Sequence, residues 1–294
     1  MTLMKRLYSI ALTLYLALFC ACEKPILADD ESLQKEDSNL TLSISQLEQT
    51  SFASLTRAAA SDVCTHLNFA IYNTEGTRLK QTNQKVGDSD FGTASFQLPE
   101  GSYQLVALAH SSNGNPTMTN PAKIQFTNSL GYTDTYLYHT TVTFGSEPQT
   151  LALSLHRIVA LCRFVISDAI PAGVARLEFT YKGGSGHFNA ATGLGVTNST
   201  QVVKYDVQAG QKGTQYDLYT FLHETEGIIH LKVTAYDSAD NMQHEREFDI
   251  PMTQNKVTWL TGDFFTGVTP STSQAFTTTI TIDTDWSGET HLTY

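Results

Sequence analysis

The sequence is short of cysteine, tryptophan and positive charge. It holds four cysteines, two tryptophans, and 18 Lys and Arg against 29 Asp and Glu in 294 residues. Each shortage narrows the reading. Cys20 and Cys22 fall in the first 22 residues, so only Cys64 and Cys162 serve the body of the chain, which is too few for a disulfide-dense scaffold. Each lies in an apolar strand-like run, and spacing leaves a bridge and two buried thiols equally open. A formal charge of −11 without a basic patch argues against nucleic acid as a partner and suits a solvated extracellular surface. No glycine loop has the spacing that cradles phosphate. No stretch beyond the first 22 residues has a helical period, which points the whole body towards strands.

What is present begins at the N-terminus. Lys5 and Arg6 precede an apolar run from Leu7 to Phe19, then Phe19-Cys20-Ala21-Cys22 leads into Glu23, Lys24 and Pro25. A basic head, an apolar body and a small residue before a cut form a secretory signal. The run is shorter than the roughly 20 residues that span a bilayer. A Cys directly after a small residue resembles the lipobox of bacterial lipoproteins, with Cys22 as the acylated first residue of the mature chain. Phe19 departs from the Leu usual in that motif. The expected layout is a signal peptide over 1–21, a flexible acidic tether over 22–38, and two β-domains over 39–155 and 156–294. Anchoring through several acyl chains on Cys22 would be stable where one chain is not.

Along the body, Leu40, Leu42 and Ile44 alternate with Thr41, Ser43 and Ser45, which predicts a half-buried strand. Leu67, Phe69 and Ile71 alternate likewise, and Asn73-Thr74-Glu75-Gly76 makes a turn. Gln104 to His110 is rich in Leu, Val and Ala. Leu151, Leu153 and Leu155 occupy odd positions; after His156-Arg157 the apolar set moves to Ile158, Ala160, Cys162, Phe164 and Ile166. A one-residue phase change flips the buried face, so this point ends one sandwich and starts another, or else marks a bulge. The second half repeats the grammar of the first, with strands at Ala175 to Tyr181, Tyr216 to His223, Ile228 to Tyr236, Glu245 to Ile250 and Val257 to Phe265. Phe276, Thr278, Ile280 and Ile282 alternate near the end. The expected fold class is all-β, two tandem antiparallel sandwiches.

Chemical signals are sparse. His223-Glu224 opens like a zinc-protease motif, but Gly227 stands where the second His belongs. Gly183-Gly184-Ser185-Gly186-His187 lacks the last glycine of a nucleophile elbow. Asp88-Ser89-Asp90 and Asp283 to Glu289 carry oxygen ligands but complete no calcium loop, and read as solvated turns. Trp259 and Trp286 offer rings to a sugar, although a Trp in a strand usually packs. The expectation is no enzyme, no metal and no cofactor.

In sequence order the chain resembles the FimB-like family of fimbrial anchor subunits, relatives of the fimbrillins of type V pili. The resemblance rests on the lipobox, Leu67-Asn68-Phe69-Ala70-Ile71-Tyr72-Asn73, Leu98-Pro99-Glu100-Gly101-Ser102-Tyr103 through Ala107, Leu155-His156-Arg157-Ile158-Val159-Ala160, Phe188-Asn189-Ala190-Ala191-Thr192-Gly193, and Asn255-Lys256-Val257-Thr258 with Gly262. It implies transthyretin-like sandwiches, a location on the outer membrane, and joining to stalk subunits by strand exchange, a form of β-augmentation. It implies that an anchor keeps its first strand, Leu40 to Ser45. Phe276, Thr278, Ile280 and Ile282 are then a candidate donor strand or simply the last strand of the second sandwich. Arg57, in a Ser/Thr/Ala segment, is a candidate protease site that favours a stalk or tip subunit instead. A surface glycan-binding lipoprotein is the reading from another class. The sequence names no host ligand.

Overall fold

The computed structural model describes residues 38–47, 63–266, 279–281 and 289–294. Those residues are all-β, as the alternation predicts. The first half contains β1 (Leu40–Leu47), β2 (His66–Tyr72), β3 (Arg78–Lys85), β4 (Thr93–Phe96), β5 (Gly101–His110), β6 (Ile124–Gln125), β7 (Thr135–Phe144) and β8 (Gln149–Arg157). The second contains β9 (Ala160–Ile166), β10 (Arg176–Lys182), β11 (His187–Phe188), β12 (Gln201–Asp206), β13 (Thr214–Thr220), β14 (Glu226–Tyr236), β15 (Met242–Thr253), β16 (Val257–Gly262), β17 (Thr279–Thr281) and β18 (Glu289–Thr293).

Strand order repeats between the halves. In the first, β3-β2-β5-β7 and β8-β1-β4 join through two residue pairs, Tyr136 with Arg157 and Leu137 with His156. In the second, β12-β10-β14-β15 faces β13-β9-β16-β18-β17. Matching β1 to β9, β2 to β10, β3 to β12, β4 to β13, β5 to β14, β7 to β15 and β8 to β16 superposes the two orders. Each half even pairs its first strand in parallel with the same late strand, β1 with β8 and β9 with β16. The second half adds β18, parallel to β16, and β17 beyond it.

Each half closes over its own core. Leu40, Leu42, Leu153 and Leu155 of one layer meet Leu67, Phe69, Leu105 and Tyr136 of the other. Cys162, Phe164 and Leu260 meet Phe179, Leu231 and Ile250 in the second half. A third apolar cluster joins the halves, built from Ala70, Tyr72, Val106, Leu108 and Leu137 on one side and Leu161, Phe188, Phe221 and Val257 on the other. The sheet β2-β5-β7 is therefore covered on both faces, which is why β2 and β5 read as nearly continuous apolar runs. Residues from Asn39 onward form one compact unit. The phase change near residue 157 coincides with a break in strand at Ile158 and Val159, between β8 and β9.

Candidate functional site

β1 is a strand held on both edges. It pairs in parallel with β8, Leu40 opposite Gln149 through Leu47 opposite Leu155, and antiparallel with β4, Leu40 opposite Phe96. Leu40, Leu42 and Ile44 point inward at period two. A bulge at Ser45 shifts the register, so that Leu47, one position out of phase, is buried too. Just before the strand Asn39 acts as a clip. Its Nδ2 donates to the Leu98 carbonyl at 2.6 Å and its Oδ1 accepts from the Leu98 amide at 3.0 Å. The Gln149 amide donates to the Asn39 carbonyl at 2.8 Å. Ladder hydrogen bonds and four buried apolar side chains make β1 an element that fills a slot between β8 and β4.

A second slot is filled at the end of the chain. β18 lies beside β16 in register, Val257 opposite Glu289 and Thr261 opposite Thr293. Tyr294 then caps the core of the second half. Its ring stacks on Phe164 with centroids 5.1 Å apart, its hydroxyl donates to the Val165 carbonyl at 3.1 Å, and the Arg246 guanidinium lies 4.9 Å above it. Gly262 permits this approach, because a Cβ there would stand 2.2 Å from the Tyr294 carbonyl oxygen. Asp168 fixes the chain where it leaves β16, accepting from the amides of Phe264, Phe265 and Thr266 at 2.9, 2.8 and 2.7 Å.

Residues 31–293 match the model of a family of unknown function, DUF6562. The chain belongs to that family. No curated protein matches it. Among solved structures it is similar to a putative adhesin from Bacteroides ovatus, at 15% identity over 71% of this chain and 82% of that one, with a TM-score of 0.49. It is similar to putative polysaccharide binding proteins from Bacteroides thetaiotaomicron, at 14% identity over 70% and 78% with a TM-score of 0.45. It is also similar to a fimbrial anchor protein from Porphyromonas gingivalis, at 11% identity over 70% and 80% with a TM-score of 0.41.

Within this DUF6562 chain the residues singled out in the sequence are unevenly placed. Cys22, Arg57, Phe276, Thr278, Ile282 and Trp286 lie outside the described residues. Ile280 lies in β17, which pairs with β18 at the edge of its sheet. Trp259 stands in a row across four strands, Asp217–Arg163–Trp259–His291, each opposite the next. The Arg163 guanidinium lies 4.9 Å above its ring, and the His291 imidazole is stacked on it at 5.5 Å and 10°. Asp217 holds Arg163 by two bonds of 2.7 and 2.8 Å. Cross-strand neighbours thus occupy both faces of the indole. Cys64 and Cys162 are buried thiols in different cores and form no disulfide. Burial pushes the Cys64 thiol up to about 12, away from reactive thiolate chemistry. Among the described residues no group of three or more His, Cys, Asp or Glu could hold a metal. His223, the start of the incomplete zinc motif, instead contacts the Gly195 carbonyl through Nδ1 at 2.9 Å.

Sequence reasoning missed β3, β6, β11, β12 and β18, of which β6 and β11 are only two residues each. β3 (RLKQTNQK) and β12 are sheet-edge strands with little buried apolar alternation to find. β18 is only five residues long, and its buried Leu292 alone marks the inward face.

Proposed function

We propose that this chain is an anchor, or another minor, subunit of a surface fimbria, tethered to the outer membrane through acylated Cys22 and joined to stalk subunits by β-strand exchange. The observation that carries the reading is β1. A first strand that inserts four buried apolar residues between β8 and β4 is the kind of element whose place another chain's strand can take, with backbone bonds giving affinity and alternate side chains giving register. The ordered segments shared with the FimB-like family support it, as does the repeated strand order, which fits two transthyretin-like domains over 39–155 and 156–294. In this reading Phe276, Thr278, Ile280 and Ile282 belong to the strand offered outward.

The test is the N-terminus of the mature protein from cells. Mass spectrometry of purified fimbriae should find an acylated Cys22 still joined to the body. A mature N-terminus at Ala58, after cleavage at Arg57, would overturn the anchor role and leave a stalk or tip subunit. Glycan binding through Trp259 is the weaker reading, because both faces of that ring are already stacked. Micromolar glycan binding lost on Trp259→Ala would reverse that order.

A further inference from the structure

The junction between the halves is lined by imidazoles that form no ion pair with an acid among the described residues. His139 lies on β7 opposite Val106, on the face turned to the second half, and borders a cavity of about 270 Å³ with Asn189 and Ala191. His187 lies on β11, opposite Gln125 of β6, in the two-stranded sheet that crosses from one half to the other. His110 meets Phe126 edge-on at 5.1 Å, and the Phe126 amide donates to the Gly186 carbonyl at 2.8 Å.

Hydrogen bonding fixes the state these rings hold. His110 Nδ1 accepts from the Ser112 amide at 3.2 Å, so the proton sits on Nε2, which faces Asn68 Oδ1 at 2.8 Å. Nε2 of His139 and Nδ1 of His187 are shielded from solvent and have no partner among the described residues. A bare lone pair is tolerable there. A proton at either atom would leave a buried charged donor without an acceptor. The titratable groups facing these rings are mostly no help to a cation. His66 stacks on His110 at 5.3 Å, with Lys85 beside it, and Lys123 lies near His187. Glu75 borders the cavity of His139 but bonds to none of its nitrogens.

We infer that His110, His139 and His187 form an acid-sensitive latch, which holds the two halves as one body while the imidazoles are neutral and releases them when they are protonated. The direction is consistent with burial, which lowers the proton affinity of all three rings, helped by His66 at His110 and by Lys123 at His187. A group whose folded-state affinity is lowered favours the open form as pH falls below its ordinary value near 6.5.

Hydrogen exchange on the full secreted chain, corrected for intrinsic rates, tests this between about pH 7.5 and about pH 5. Amides of β6, β11 and Phe126 should lose protection by up to about tenfold per pH unit for each imidazole charged, while β9 and β14 keep theirs. His139→Gln with His187→Gln, which leaves only His110 to titrate, should lose less junction protection at the lower pH than the unaltered chain does. Three results overturn the proposal. Junction amides of the unaltered chain could stay protected in acid, they could fall in step with β9 and β14, or the double variant could fall as the unaltered chain does. The first two are read without any variant.

Discussion

Gln84 lies on β3, yet its amide closes the far side of the first sandwich. Nε2 donates to the carbonyls of Asp90 and Thr93 at 3.0 and 2.7 Å, and Oε1 accepts from the Gly92 amide at 3.0 Å. One side chain thus replaces a missing ladder between β3 and β4. Gln84→Met keeps the volume and orphans the Thr93 carbonyl and the Gly92 amide, while the Asp90 carbonyl keeps the Thr93 amide at 2.8 Å, so a loss of about 2–4 kcal/mol is expected from urea unfolding. His110 sets a second residue-scale expectation. Burial first, and His66 next, bring its affinity down to about 3 from 6.5. The folded state therefore binds fewer protons than the unfolded chain between those values. Its contribution is complete above pH 6.5 and is lost, at ~1 kcal/mol per pH unit, as pH falls towards 3. Unfolding midpoints at neutral and mildly acid pH should differ less for His110→Gln than for the unaltered chain. Neither role was legible in the sequence. Gln84 is one amide among many in a polar strand, and His110 becomes special only through the Asn68 and Ser112 that the fold brings to it.

At the scale of elements, the half-buried strands were the legible ones. β1 shows Leu40, Leu42 and Ile44 at period two because one of its faces meets a core. Its neighbours were not legible, since local sequence carries no signal that a first strand will lie parallel to β8, more than a hundred residues away. If β1 occupies an exchangeable slot, a chain lacking residues 1–47 should be stabilised by a peptide of Asn39 to Leu47. The same peptide with Leu42→Asp and Ile44→Asp should give no rise in Tm, because register depends on those inward side chains. β18 makes a complementary case. Gly262→Ala puts a Cβ against Tyr294, so amide exchange at His291 to Tyr294 should quicken while β14 is unchanged. Unchanged exchange at those residues would mean that Tyr294 moves aside at little cost.

For the whole molecule, the question is whether the halves act together. Arg157, at the end of β8, reaches across the junction. It holds Asp134 by bonds of 2.7 and 2.9 Å and donates to Asn255 Oδ1, in the turn from β15 to β16, at 3.2 Å. Beside it Gln254 Nε2 donates to the carbonyls of Ile158 and Gly193 at 3.0 and 3.1 Å. With the third apolar cluster these bonds predict one cooperative unfolding transition for the unaltered chain. Arg157→Leu takes away the cation that Asp134 pairs with, leaving it only the Tyr136 hydroxyl at 2.8 Å, and should cost about 3 kcal/mol, and it should broaden or split that transition in calorimetry. Some of this architecture was written in the residues themselves. Period-two alternation follows from strand geometry, and the phase change after Arg157 follows from the chain leaving one core for another; both are local properties. Which strands lie side by side, that the second half repeats the order of the first, and that β2 and β5 are covered on both faces were decided only by tertiary structure, because those depend on loops and late strands closing over long separations. Cys64 and Cys162 show the limit most simply: spacing left a bridge and two buried thiols equal, and folding them into separate cores settled the matter.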